Sequence, residues 1–123
     1  MRQDPALAPA PADLAQPEAR QVLREALCRG ESVLVRNAGV SMRPALLPGD
    51  FLCVEPLLLR RPKPGDLVLL AAGQDWIVHR LLGFEVREGA IMALTAGDAS
   101  VQLDEPQPLD RLLGVVVRVC RGK

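Results

Sequence analysis

Apolar positions change their spacing close to residue 30 of this chain. Upstream, the run from Glu18 to Arg29 places Val22, Leu23, Ala26 and Leu27 on one helical face, with Pro17 before the first turn and Gly30 after the last. Proline suits a first helical position because the N–H it lacks would be unpaired there, and glycine tolerates the left-handed conformation that ends a helix. The spacing predicts one short amphipathic helix over 17–29. Downstream, apolar residues come in short runs of strand length separated by turn formers. Strands are expected at Glu31–Arg36, with Val33 and Val35 on one face, and at Phe51–Val54, Asp66–Leu70, Trp76–Leu82, Ala90–Leu94 and Leu112–Val119. Breaks fall at Pro48-Gly49-Asp50, Pro62-Lys63-Pro64-Gly65-Asp66, Gly73-Gln74-Asp75 and Gly97-Asp98, where the residues favour turns. Residues 1–16 are rich in Ala and Pro and read as a flexible arm with little to bury. The pattern therefore predicts a mainly β domain over 31–120, of about six strands, carrying one N-terminal helix.

Composition narrows the classes of function. A chain of 123 residues, 49% hydrophobic, is one domain with its own core. Fifteen Lys and Arg balance fifteen Asp and Glu, and Trp76, Phe51 and Phe84 are the only aromatic residues. A polyanion footprint and base-stacking platforms are both missing, so nucleic acid is not an expected partner. No run of eighteen apolar residues and no apolar signal region occurs, so neither a membrane anchor nor a secretion signal is expected and the cytoplasm is the expected compartment. The helix carries Glu18 and Glu25 against Arg20 and Arg24. That balance favours packing on its own domain over lying at a membrane surface, the peripheral alternative. Cys28, Cys53 and Cys120 form no C-x-x-C pair, and with one histidine they make no zinc site. No metal or cofactor is expected, and Cys53 and Cys120 read as small buried hydrophobes in a reducing compartment.

Candidate chemistry centres on few residues. His79 lies in Trp76–Leu82, where a period-two reading sets it on one face with Ile77 and Leu81, opposite Trp76, Val78, Arg80 and Leu82. Ser41 follows a β run through Gly39 and precedes Pro44, a place that exposes a hydroxyl and a backbone N–H at a strand end. Singly, His79 reads as a hydrogen-bonded structural histidine and Ser41 as a turn or cap serine. A serine hydroxyl becomes a nucleophile only beside a base, and the base gains from a carboxylate that fixes its tautomer. Asp98 and Asp104 are the carboxylates available in and after the Gly-Asp turn.

The segments Gly39-Val40-Ser41-Met42-Arg43-Pro44, Pro48-Gly49-Asp50, Pro64-Gly65-Asp66-Leu67-Val68, Val78-His79-Arg80, Thr95-Ala96-Gly97-Asp98 and Leu113-Gly114-Val115-Val116 follow one another in an order that resembles the signal peptidase I family. The resemblance spans residues 31–120. Bacterial members, and the related LexA-type self-cleaving repressors, use a lysine base where the archaeal and endoplasmic-reticulum type has histidine. Here that position is His79, and the only lysines are Lys63 and Lys123, so the resemblance is to the Ser-His type. It implies a LexA/signal-peptidase-like β fold and a serine endopeptidase cleaving a peptide or propeptide after small residues. Ser41 would be the nucleophile and His79 the base. Asp104, six positions after Asp98, is favoured as the orienting carboxylate, and Asp98 as a second acid shaping the site. The Ser41 N–H would meet the oxyanion, helped in many relatives by a hydroxyl two residues earlier, where this chain has Gly39. Gly39, Val40 and Met42 are the expected substrate contacts, with Met42 packing beneath the nucleophile.

Family members place a transmembrane helix where this chain has its amphipathic helix. A soluble relative trimming a cytoplasmic peptide fits that difference. The arm offers Ala6-Leu7-Ala8 and Ala8-Pro9-Ala10, but each precedes a proline, which the family does not accept after the scissile bond, so self-cleavage is not expected. The other reading is a non-catalytic module that keeps the fold and binds a peptide by strand addition.

Overall fold

The helix forms where the apolar spacing places it. In the computed structural model, which describes residues 12–13, 17–72 and 75–121, α1 runs from Pro17 to Cys28. It ends at Gly30, whose φ is 86°. The Gly30 N–H donates to Leu27 C=O at 3.0 Å and the Glu31 N–H to Ala26 C=O at 3.0 Å, the paired bonds that satisfy the last carbonyls of a glycine-terminated helix. Leu23, Ala26 and Leu27 are buried, but Val22 is 64% exposed and does not share their face; it sits at the solvent edge of the apolar stripe.

Two short strands join the six expected ones. The strands are β1 (Ala12–Asp13), β2 (Val33–Arg36), β3 (Phe51–Pro56), β4 (Leu67–Ala72), β5 (Asp75–Arg87), β6 (Ala90–Ala96), β7 (Gln107–Pro108) and β8 (Leu112–Cys120), with a 3-10 turn at Leu109–Arg111 before β8. They form one sheet in the order β1-β2-β3-β8-β4-β5-β6-β7. Strands β2 to β8 pair antiparallel, while β1 lies parallel to β2. The protein is thus mainly β with one α-helix, as the hydrophobic pattern predicts. Of the expected arm and the Gly73-Gln74-Asp75 turn, residues 1–11, 14–16, 73 and 74 lie outside the described residues; Ala12 and Asp13 are in a strand, and Asp75 begins β5.

Alternation along the central strands feeds two cores. In β4, Leu69 enters one and Val68 and Leu70 the other, so this strand is buried on both faces. The first core is covered by Leu23 and Leu27 of α1 and by Met42 and Leu46 from the loop after β2; the second holds Leu81, Ala93, Leu112 and Val115. Bulges between Cys53 and Val54, Leu69 and Leu70, and Leu81 and Gly83 break the register; such insertions bend a strand and increase its twist.

Two further expectations are corrected. Strand β5 runs on to Arg87 and reverses through Glu88 and Gly89, whose φ values are 52° and 80°, a two-residue hairpin turn that usually carries Asn or Asp first. Cys120 is exposed and Cys53 half-buried, with Cys28 also exposed, and all three are free thiols. The physical reason is position: Leu52 and Val54 take the core face of β3, and β8 is exposed from Val117 to its end. Among the described residues, no helix is long and apolar enough to cross a membrane.

Candidate active site

Ser41 is delivered by the loop that leaves β2, and buried polar groups hold that loop. The Asn37 N–H donates to Asp50 C=O at 2.8 Å, and Asn37 C=O accepts from the Gly49 N–H at 2.7 Å. Its side-chain amide donates to Leu47 C=O at 3.0 Å and Gly39 C=O at 3.3 Å. Asp50, buried, accepts the Leu47 N–H at 2.8 Å and faces the Arg121 guanidinium at 3.5 Å. Gly49 takes φ 91° to close this turn. Met42 and Leu46 anchor the loop in the first core. Ser41 itself stays exposed.

His79 stands opposite Val68 in the β4–β5 ladder and is 8% exposed. Its Nε2 is 3.0 Å from Ser41 Oγ. Its Nδ1 is 2.5 Å from Asp104 Oδ2. The same carboxylate oxygen accepts Thr95 Oγ1–H at 2.7 Å, and the Asp104 N–H donates to Thr95 C=O at 2.9 Å. Thr95 is buried on β6 opposite Leu81. A buried hydroxyl needs a partner, and here it fixes the carboxylate that faces the histidine. The sequence reading missed this role; the available signal was one polar residue at a buried position in the alternation of β6.

Asp98 has a different neighbour. Arg80 grips it with two hydrogen bonds, Nε to Oδ1 at 3.0 Å and Nη2 to Oδ2 at 2.7 Å, and also donates from Nη1 to Gly65 C=O at 2.9 Å. The Arg80 hydrogen bond holds Asp98 below the ordinary carboxylate range, against the opposing effect of burial and aided by the charges of Arg80 and His79. The Arg80 guanidinium is correspondingly raised, first by that hydrogen bond. The backbone around Asp98 grips the Ser41 turn: Ala99 N–H donates to Ser41 C=O at 2.9 Å, and Asp98 N–H to Met42 Sδ at 3.2 Å. Gly97 is required there, since a Cβ would stand 2.7 Å from the Ser41 carbonyl oxygen and 3.1 Å from His79 Nε2.

A cleft of about 270 Å³ opens beside Ser41, between Asn37-Ala38-Gly39 on one wall and Asp75-Trp76-Ile77-Val78 on the other, with Arg20 of α1 also lining it. The Arg24 guanidinium lies 5.6 Å from the Trp76 ring centroid, a cation–π distance that steadies this wall. Strand β6 pairs β5 only from Arg80 onward. Among the described residues, Asp75–His79 therefore has β4 on one side and no strand on the other. Gly39 lines the cleft, whereas Val40 is 54% exposed outside it. Met42 is corrected from substrate contact to support: at 2% exposure it faces the core under the turn.

The arrangement can deprotonate a serine. A neutral imidazole holding its proton on Nδ1 against Asp104 presents a lone pair on Nε2 to the Ser41 hydroxyl. Among the described residues, no group of three or more His, Cys, Asp or Glu side chains could hold a metal ion. No family model matches the chain, and no curated protein matches it in sequence.

Proposed function

We propose that this protein is a serine endopeptidase of Ser-His-Asp type, similar in fold and site to the Ser-His branch of the signal peptidase I family and the LexA-type peptidases. The observation that carries the reading is the unbroken chain of contacts from Ser41 Oγ through both nitrogens of His79 to Asp104. An extended peptide pairs with the edge of β5 at Asp75–His79 and fills the cleft with small side chains. Ser41 Oγ attacks the scissile carbonyl as His79 Nε2 takes its proton, and Asp104 stabilises the imidazolium. His79 then protonates the leaving amine, and a water activated by the same nitrogen releases the acyl group. In this reading the Ser41 N–H donates to the oxyanion.

Gly39 favours a second reading, a peptide-binding module without turnover, because residue 39 carries no hydroxyl to supplement that N–H. One assay separates the two. A mixture of peptides with small residues at successive positions is incubated with the protein, and products are identified by mass spectrometry. A peptidase yields a fixed cut that falls by several orders of magnitude in Ser41→Ala and in His79→Ala. Uncut peptides bound equally well by wild type and Ser41→Ala establish the module instead.

A further inference from the structure

Two arginines approach consecutive residues of the Pro48-Gly49-Asp50 turn from different strands. Arg36 ends β2, and its Nη2 stands 4.0 Å from where a Cβ on Gly49 would lie. Arg121 follows the last residue of β8; its Nη2 lies 3.5 Å from Asp50 Oδ2 and donates to Ala45 C=O at 3.3 Å. Both guanidinium side chains line a cleft of about 620 Å³ with Leu47, Pro48 and Phe51 as its apolar wall.

The charges in this cleft do not balance. Asp50, buried, is the acid that lines it, and its Oδ2 also accepts the Leu47 N–H at 2.8 Å. One carboxylate answers one guanidinium. Arg36 is exposed and has no carboxylate partner among the described side chains. Arg118, opposite Cys53 in the β3–β8 ladder, adds positive charge to the same end of the sheet, and Asp13 stands level with Arg36 in the backbone register of β1 and β2.

We infer that this cleft is a binding site for an organic oxyanion, a phosphate or carboxylate carried on an apolar body, held by Arg36 and Arg121. Planar guanidinium forks match both headgroups, and the wall of Leu47, Pro48 and Phe51 takes the part next to them. The site shares its loop with the Ser41 cleft: Asn37, which lines that cleft, bonds through its backbone to Gly49 and Asp50. A ligand between the arginines therefore bears on the turn that holds the Ser41 loop. The inference does not depend on the peptidase reading.

The test is calorimetric titration of the full chain at low salt, with phenyl phosphate, benzoate and inorganic phosphate as probes. Saturable binding of phenyl phosphate or benzoate is expected, and the tighter of the two names the headgroup. Affinity should fall at least about tenfold in Arg36→Gln and in Arg121→Gln, stay unchanged in Arg118→Gln, and be no weaker in Asp13→Asn. Arg121→Gln also gives up the bonds to Asp50 and Ala45, so thermal melting accompanies it, and Arg36→Gln decides the matter should that variant misfold. Arg36→Lys keeps the charge without the fork and is expected to bind less tightly than wild type. Absence of saturation, equal affinity in wild type and Arg36→Gln, or a loss as large in Arg118→Gln overturns the inference. So does inorganic phosphate bound as tightly as phenyl phosphate, which would mark a site for a bare ion.

Discussion

His79 meets three groups of different kinds: the Ser41 hydroxyl on Nε2, the Asp104 carboxylate on Nδ1, and through that carboxylate the Thr95 hydroxyl. Its face on β5 was legible from period two alone, since Ile77 and Leu81 pack into the second core and Trp76 and Val78 into the first. Its carboxylate partner was less so. Local pattern does not separate Asp98 from Asp104; in three dimensions Arg80 draws Asp98 away while Asp104 faces His79 and Thr95. At this scale Gly39 gives a gain-of-function prediction. A Cβ at Gly39 meets nothing within 4 Å and its φ lies outside the left-handed region, so Gly39→Ser fits without strain. A hydroxyl donor to the oxyanion contributes on the order of 2.7–4 kcal/mol where it is fully effective. Peptide cleavage by Gly39→Ser is expected to be faster in kcat, as measured by initial rates against wild type; a rate unchanged or lower would show that no oxyanion forms beside residue 39.

The turn at Gly97–Ala99 and the strand β5 are joined by the Arg80–Asp98 pair, and this link has a pH signature. Asp98 is held below its unfolded value, so its contribution to stability is present above about pH 3.9, the unfolded carboxylate value, and is lost as pH falls through the folded one. Its side chain is one-quarter exposed and that of Arg80 one-third, which limits the contribution to about 1 kcal/mol or less. Thermal melting of Asp98→Asn should therefore lie a few degrees below wild type at pH 7, and the gap should close as pH falls through the lowered folded value of Asp98. A gap that persists in acid would assign the loss to packing instead. Elements were legible where period and punctuation agreed, as in α1 with its Gly30 stop and in β3 and β4. They were missed where neither marks the chain: β1 and β7 are too short for a period, and the Glu88-Gly89 turn lacks the usual first residue.

Strand β8, last in the chain, lies between β3 and β4 and ties the two halves of the sheet together. No local pattern announces such an insertion, but Gly114 records it. A Cβ there would stand 2.6 Å from Val54 Cγ1 and 2.7 Å from the Glu55 carbonyl oxygen, so the β3–β8 approach requires glycine. Gly114→Ala is expected to destabilise the protein by about 1–3 kcal/mol, in the range of overpacked cores, read as a lower urea midpoint at unchanged slope; an unchanged midpoint would mean that the strands part without cost. The fold brings one loop and one strand together at Ser41 and His79, 3.0 Å apart from Oγ to Nε2. Because His79 is the only histidine, a nitrogen-15 correlation spectrum of its ring reports that contact with one set of signals. In the range where the ring carries a single proton, that proton should reside on Nδ1, shielded from solvent, with Nε2 as acceptor. Asp104→Asn should displace the Nδ1 signal and Ser41→Ala chiefly that of Nε2. A ring protonated on Nε2, or signals identical in all three proteins, would contradict an assembled Ser41–His79–Asp104 site.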